Sequence, residues 1–384
     1  MNNVVRHWNM EVPMLRRLIN GWELPSCLLV FTLLGTASAE GQTGAPVGFP
    51  PGTPASSVVR QQIDLIYRQA AAAKNLEEIG QALAAAQQIK PQDLKTRDYL
   101  LNLTAWMHNR RGEMFTEMAS VQTKGGNSTD AARFEAQAIA EFSSAIQMHP
   151  NSRAFHNRGV SYATEGKYEQ ALQDFTKCLQ QNPNDLNARF NRAELNLELG
   201  NYEQAEQDYS MLLTAQPNDS AALVGRAHVR FYIGKFEDSL LDFDDAIARD
   251  PSNALAYADR ADLYAYLGRW EEAARDYRTA IRIDNNLGRA YQSAAWLMAT
   301  CPEDRFRDPQ LALRAAKRAI DLEGSRDYRY MDTLAAAQAN ANLFPQAQQT
   351  MQDALRSAPA EVVPELEQRL TLYSANRPYR DAPQ

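Results

Sequence analysis

Cysteine and catalytic motifs are both scarce in this 384-residue chain. Its three cysteines, Cys27, Cys178 and Cys301, form no Cys-x-x-Cys pair, so no disulfide framework is expected. The five histidines lie at no metal-binding spacing, and the GxSxG, P-loop and HExxH patterns are missing. The sequence therefore predicts a protein that is not an enzyme and that carries no cofactor and no metal.

Basic clusters and long apolar runs are also lacking. The formal charge is −7 and no segment gathers Lys and Arg, which argues against nucleic acid as a partner. The apolar run Leu28–Leu34 is too short to span a bilayer. It follows Arg16 and Arg17 and precedes Ala37-Ser38-Ala39, which is the pattern of an export signal. We therefore predict a signal peptide over residues 1–39, a periplasmic or extracellular location and no integral membrane span in the mature chain. A buried N-terminal helix is the alternative.

What the chain does contain is a 34-residue period, which runs four times without insertion over residues 152–287. A glycine recurs at Gly166, Gly200, Gly234 and Gly268. Aromatic residues follow two and nine positions later, at Tyr168, Tyr202, Phe236 and Trp270 and at Phe175, Tyr209, Phe243 and Tyr277. Between them lie the small residues Ala171, Ala205, Ser239 and Ala273. A fixed period of this size is typical of a repeat array.

Each unit reads as a helix-turn-helix. Gly ends the first helix because it enters the left-handed conformation at little steric cost. The small residue lets the two helices approach closely, and Pro183, Pro217 and Pro251 end three of the second helices. One hairpin cannot bury its own apolar face, so the units must stack.

The flanks continue the pattern less regularly. Residues 40–57 read as a Gly/Pro/Ser-rich linker, and residues 58–151 as one degenerate unit and one expanded unit, with a break at Gly125-Gly126-Asn127 and a cap at Thr129-Asp130. Residues 288–361 read as two further units, the first with a turn lengthened from Cys301 to Pro309. Residues 362–384 read as a capping helix and a frayed tail. Cys178 is expected to be a small buried side chain, whereas the turn position of Cys301 is compatible with exposure.

The residues that recur at the same positions of each unit resemble those of the tetratricopeptide repeat family, and the chain is identified as an exported, bacterial-type member. The resemblance rests on the small eighth residues Gly159, Ala193, Ala227 and Ala261, together with the turn glycine, the second-helix Ala and aromatic, and the closing Pro. It implies an all-α, right-handed superhelical solenoid in which first helices line a concave face. Family members usually bind peptides or proteins on that face.

The seventh position departs from the family, which often has Leu there. This chain has Arg158, Arg192, Arg226 and Arg260, and sixteen residues after each stands an acid, at Asp174, Asp208, Asp242 and Asp276. We favour a structural ladder of Arg–Asp pairs. An Arg stripe that faces an acidic ligand is the alternative.

The resemblance also implies groove positions near residues two, five, nine and twelve of each unit. The candidate binding residues are Arg153, His156, Phe190, Glu194, His228, Phe231, Asp262, Gln292 and Trp296. We predict a scaffold whose groove binds an unidentified peptide segment or partner protein. The alternatives are a structural component that assembles a cell-envelope complex through the ends and edges of the solenoid, and an accessory subunit that binds a small molecule or glycan.

Overall fold

The protein is described by a computed structural model over residues 57–324 and 327–381. Within these residues the chain forms 17 α-helices, one short 3₁₀ helix and no strand, so the predicted all-α class is confirmed. In the same part of the chain, no helix is both long enough and apolar enough to cross a membrane. The predicted signal peptide and nearly all of the predicted linker lie outside the described residues.

The helices are α1 (Ser57–Ala72), α2 (Leu76–Gln88), α3 (Leu94–Lys124), α4 (Ser128–Met148), α5 (Ser152–Thr164), α6 (Tyr168–Gln181), α7 (Leu186–Glu198), α8 (Tyr202–Ala215), α9 (Ser220–Tyr232), α10 (Phe236–Arg249), α11 (Ala254–Tyr266), α12 (Trp270–Ile283), α13 (Gly288–Thr300), α14 (Pro309–Glu323), α15 (Tyr328–Asn340), α16 (Phe344–Ser357) and α17 (Val363–Ser374). The 3₁₀ helix Asp304–Phe306 lies between α13 and α14.

The chain divides into two compact units, and the division falls within α8. In the described part of the first unit, residues 57–212, α1 packs on α2, α3 on α4 and α5 on α6, and each pair also contacts the next helix along the chain. In the second unit, residues 213–381, the hairpins are α9/α10, α11/α12, α13/α14 and α15/α16, and α17 packs on α16. Each unit is thus a stack of consecutive hairpins.

In the four regular hairpins, the turn between the two helices contains one left-handed glycine. At the end of α5, Gly166 has φ of 72°, its N–H donates to the Ala163 carbonyl at 3.0 Å, and the Lys167 N–H donates to the Tyr162 carbonyl at 2.8 Å. These bonds satisfy carbonyls that the helix end leaves without partners. In the last hairpin Asn342 occupies this place with φ of 61°, because Asn tolerates the left-handed region better than most residues.

The small eighth residue allows the second-helix aromatic to approach the first helix. A Cβ added to Gly159 would lie 2.9 Å from the ring of Phe175, a distance that real side chains do not reach. Phe175 and Ala171 are both completely buried. The small residue and the aromatic are therefore two halves of one packing contact.

The expanded unit is a longer hairpin. Helices α3 and α4 have 31 and 21 residues, whereas α5 and α6 have 13 and 14. Gly112 lies against the ring of Phe142, as Gly159 does against Phe175. The sequence analysis placed the cap of the second helix at Thr129-Asp130, and this assignment was wrong. The first helix continues to Lys124, and Asn127 caps the second by accepting a bond from the Asp130 N–H at 3.2 Å.

Two expectations near the C-terminus were also wrong. Cys301 is buried, because its side chain packs with Trp270 and Tyr277 under the lengthened turn. The tail was expected to fray after α17, but its described part is held in place, and Asp381 is only 4% exposed. Helix α17 itself packs as a cap, with Leu366 and Tyr373 fully buried.

We expect Gly234→Ala to destabilise the protein by about 1–2 kcal/mol, because nothing crowds the new Cβ but the left-handed backbone disfavours it. Gly80→Ala is the matched control. Gly80 lies within α2 with its nearest neighbour 4.0 Å away, so Ala should stabilise the helix by about 0.5–1 kcal/mol. Urea unfolding of both variants measures the difference, and equal effects would contradict the role given to the turn.

Candidate functional site

Each seventh-position Arg forms a bidentate ion pair with the Asp of its own hairpin. Arg158 donates from Nε and Nη2 to the two oxygens of Asp174 at 2.7 and 2.9 Å. The other three pairs have the same geometry, with distances from 2.7 to 3.1 Å. Two parallel charge-assisted bonds fix both distance and orientation. The geometry therefore favours the structural ladder over an Arg stripe that faces a ligand.

In three of the four arginines, the remaining guanidinium nitrogen joins consecutive hairpins. Nη1 of Arg158 donates to Oγ of Ser143 on α4 at 3.0 Å, and Nη1 of Arg192 donates to Oγ1 of Thr176 on α6 at 3.4 Å. Nη1 of Arg260 contacts Asp244 on α10 at 2.5 Å. In each case the partner lies on the second helix of the preceding hairpin. One Arg thus holds its own hairpin together and ties it to its neighbour.

The ladder has a further rung that the sequence analysis missed. Arg111 pairs with Glu141, which also contacts His108 at 2.8 Å. Burial raises the pKa of Glu141, but the bonds from His108 and Arg111 outweigh it, so the pKa lies below its usual value. The two residues are 30 apart instead of 16, and Glu replaces Asp, so the 34-residue period hid the pair. The dipeptides Arg111-Gly112 and Glu141-Phe142 were the available signal, since Arg158-Gly159 and Asp174-Phe175 repeat them.

In the first unit, four of the predicted binding residues lie on first helices and contact other side chains. Nη2 of Arg153 lies 2.8 Å from Oε1 of Glu113, which also accepts a bond from Asn157. Phe190 packs edge-on against Tyr209, whose hydroxyl donates to Glu194. His156 contacts Asp185 and the edge of the Phe175 ring.

In the second unit, His228 and Asp262 belong to one charged cluster on the first helices α9, α11 and α13. Nε2 of His228 lies 3.1 Å from Oδ2 of Asp259, and Arg289 binds both Asp259 and Asp262. The hydroxyl of Tyr277 donates to Asp262 at 2.6 Å. Burial and the nearby Asp262 carboxylate raise the pKa of Tyr277 well above its usual value, so the hydroxyl keeps its proton.

Phe231 and Gln292 differ in their suitability for binding. Phe231 is 1% exposed and packs with Phe236 and Tyr266, so it lies in the core rather than on the binding face. Gln292 is partly exposed on α13 and donates to Oγ1 of Thr333 on α15 at 2.8 Å. Phe231, at position twelve of the third unit, therefore faces the hairpin core, where it packs with the surrounding aromatic residues.

Trp296 is covered by the C-terminal tail. Its Nε1 donates to Asp381, and its ring packs against Tyr379 with centroids 5.9 Å apart. The guanidinium of Arg369 lies over both rings, at 5.6 Å from Trp296 and 5.2 Å from Tyr379. The backbone N–H of Asp381 donates to the carbonyl of Thr300 at 2.9 Å. The contacts of Trp296 and Thr300 with Tyr379 and Asp381 join residues more than 80 positions apart, so a local sequence pattern does not predict them.

The structure also brings together three groups that sequence spacing had separated. A nitrogen of His156, Sγ of Cys178 and a carboxylate oxygen of Asp185 all lie within 4.8 Å of one another. Burial and the nearby Asp185 carboxylate raise the pKa of the Cys178 thiol. Among the residues that the structure describes, Cys178 and Cys301 are both free thiols and both are buried.

Three segments match sequence models of the tetratricopeptide repeat, at residues 125–185, 162–226 and 224–287. They cover the expanded hairpin's second helix and the whole region with the 34-residue period. The matches identify this part of the chain as tetratricopeptide repeats, a class whose folds typically act as protein-interaction scaffolds. A search of curated proteins found no match.

Several solved structures resemble the chain. YrrB, described as a repeat protein of this type with an unusual peptide-binding site, is 18% identical, with 47% of this chain and 89% of YrrB covered and a TM-score of 0.39. Yeast Tom70 is 16% identical, with 86% and 66% covered and a TM-score of 0.46. Pseudomonas aeruginosa pilF is 16% identical, with 59% and 98% covered and a TM-score of 0.47. The family matches, rather than these likenesses, identify the repeat.

We expect Asp242→Asn to destabilise the protein by roughly 3 kcal/mol or more, because it leaves Arg226 and Arg230 without a buried carboxylate. Glu272→Gln removes one partner of an exposed pair with Arg269 and should change stability by less than about 1 kcal/mol. Urea unfolding at neutral pH compares the two. A loss from Asp242→Asn no larger than that from Glu272→Gln would show that the ladder does not stabilise the stack.

The Tyr209–Glu194 contact has an internal control in the preceding hairpin, where Phe175 and Val160 occupy the same two positions. We expect Tyr209→Phe to destabilise the protein by about 1–3 kcal/mol, because Glu194 loses a hydroxyl donor. The double variant Glu194→Val with Tyr209→Phe should recover most of that stability in thermal unfolding. If the double variant is as unstable as the sum of the single changes, the two residues act independently.

Proposed function

We propose that this protein is a non-enzymatic scaffold that binds an extended segment of a partner protein on the first helices of its second compact unit. The tetratricopeptide repeat matches indicate a class of interaction scaffolds, and the polar and aromatic side chains on α9, α11 and α13 are groups that a peptide can contact. Main-chain and side-chain hydrogen bonds to an extended segment are a common mode of peptide recognition. The export pattern in residues 1–39 supports a location outside the cytoplasm for this scaffold.

The observation that carries the proposal is the course of residues 376–381 along α13 and α15. After α17 the chain is not helical, yet it is held by Arg380, whose Nη1 donates to the Ala299 carbonyl at 3.0 Å and whose Nη2 donates to Asn340 at 2.9 Å. Tyr379 and Asp381 contact Trp296. A surface that holds six residues of its own chain in this way has the groups to hold a similar segment of a partner.

The chemistry of the tail indicates the kind of segment that fits. An aromatic residue stacks beside Trp296 and Arg369, and a carboxylate two residues later accepts bonds from Trp296 and from Oγ1 of Thr300 at 3.1 Å. The hydroxyl of Tyr379 donates to the same carboxylate at 2.9 Å. We therefore propose a partner segment in which an aromatic residue precedes an acidic residue by two positions.

The test supplies the tail as a separate molecule. A labelled peptide with the sequence of residues 376–384 is titrated into the full chain and into a chain that ends at Ala375, and fluorescence anisotropy measures binding. We expect the shortened chain to bind the peptide saturably and the full chain to bind it more weakly, because its own tail occupies the site. Circular dichroism melting establishes that the shortened chain is folded.

Two changes control for specificity. A peptide with Tyr379→Ala and Asp381→Asn should bind about ten-fold more weakly or worse, since it loses a charge-assisted bond and a ring contact. Trp296→Phe in the shortened chain keeps an aromatic ring but removes the Nε1 donor, and it should weaken the original peptide. Equal binding of both peptides, or no binding by a folded shortened chain, contradicts the proposal.

A further inference from the structure

We propose that His156, Cys178 and Asp185 form a binding site for a divalent metal ion of the zinc type. The three residues come from three successive segments, namely α5, α6 and the cap of α7. Thiolate, imidazole and carboxylate are the ligands that zinc takes in proteins. This site is separate from the tail-covered surface around Trp296 and does not depend on the function proposed above.

The distances among the three groups are close to those around a shared ion. Nδ1 of His156 lies 3.7 Å from Oδ1 of Asp185, which is too long for a hydrogen bond. The thiol of Cys178 donates a hydrogen bond to Oδ2 of Asp185 at 3.5 Å, and a metal ion between the two groups would replace this bond. Ligand atoms around a tetrahedral zinc ion are roughly 3.3–3.6 Å apart, given metal–ligand distances near 2.0–2.3 Å. Small side-chain adjustments would therefore place all three around one ion.

The surroundings hold the ligands in position. Oδ1 of Asp185 accepts a bond from the Ala188 N–H at 3.0 Å as the cap of α7, which fixes the carboxylate. The His156 ring packs edge-on against Phe175, with centroids 5.8 Å apart. Contacts that orient the ligands in this way are a regular part of metal sites.

Access and ligand type narrow the choice of ion. The side chains of His156 and Asp185 are 19% and 21% exposed, so an ion and a water molecule as fourth ligand can enter from solvent. Cys178 is fully buried and closes the inner side. A thiol and an imidazole disfavour calcium and magnesium, which prefer oxygen ligands. On binding, the metal–sulfur bond replaces the thiol proton, and the proton leaves to the buffer.

No other regular unit has this combination. The positions of His156, Cys178 and Asp185 are occupied by Phe190, Leu212 and Asp219 in the next unit, by Val224, Ala246 and Asn253 in the third, and by Ala258, Ala280 and Leu287 in the fourth. The fold of the hairpin therefore does not require the three ligands. Packing explains a small buried residue at position 178, and helix capping explains Asp185, because Asp219 and Asn253 cap the corresponding helices of the next two units. Neither explains why a histidine meets these two side chains in this unit alone.

Cobalt(II) added to the reduced, metal-free full chain provides the test. We expect a thiolate-to-cobalt charge-transfer band at one equivalent, which zinc abolishes in competition, and a rise in melting temperature with zinc. Three variants take residues from neighbouring units, so that each is compatible with the fold: Cys178→Ala, His156→Phe and Asp185→Asn. Asn retains the cap of α7, as Asn253 does for α11.

The results of cobalt and zinc binding to these variants either support or overturn the proposed metal site. The site is supported if Cys178→Ala abolishes the charge-transfer band, if the other two variants weaken cobalt binding at least ten-fold, and if Cys301→Ala leaves it unchanged. A band that survives Cys178→Ala, or a zinc-induced melting shift that is the same in all variants, overturns it and assigns the metal to other surface groups. The absence of any band in the folded wild-type chain overturns it as well.

Discussion

The bidentate pair between an arginine on the first helix and a carboxylate on the second is the interaction on which the regular hairpins depend. Arg158 and Asp174 directly precede Gly159 and Phe175, which pack against each other. The pair therefore fixes the register of the two helices next to this packing contact. Its remaining donor, Nη1, reaches back to the preceding hairpin. The two parallel bonds form in only one orientation of the carboxylate relative to the guanidinium. If either helix slid along the other, the ion pair would therefore break.

The ladder is confined to part of the chain, and its ends are informative. It begins in the long hairpin with Arg111 and Glu141 and includes Arg260 and Asp276. In the next hairpin the corresponding positions are Ala294 and Ala315, both at least nine-tenths buried, so no ion pair can form between them. A buried ion pair lies further along the chain, between Arg369 on the capping helix α17 and Asp332 on α15, at 2.9 Å. The C-terminal hairpins thus use a different means of holding their helices together.

The sequence predicted what recurs and missed what occurs once. The columns of Gly, aromatic and small residues determine local geometry, so four hairpins and their Arg–Asp spacing could be predicted from one period. Fourteen additional residues in the α3/α4 hairpin broke that period and hid Arg111 and Glu141. Contacts such as Trp296 with Asp381, or His156 with Cys178 and Asp185, depend on how successive helices stack. Composition and spacing do not predict contacts between side chains of different helices. Several polar residues predicted to bind a partner therefore contact other side chains of the same chain.

The tail that covers Trp296 has a consequence for the strength of any competing ligand. A segment attached to the surface it occupies acts at an effective concentration on the order of millimolar, whatever the protein concentration. If the detached tail bound with a dissociation constant of about 10 µM, the attached tail would raise a competitor's apparent dissociation constant roughly 100-fold. A partner would then succeed through avidity, by contacts on other hairpins, rather than by displacing Tyr379 and Asp381 alone. The raised apparent dissociation constant would make the protein selective, because short acidic peptides that bind only this site would compete poorly with the attached tail.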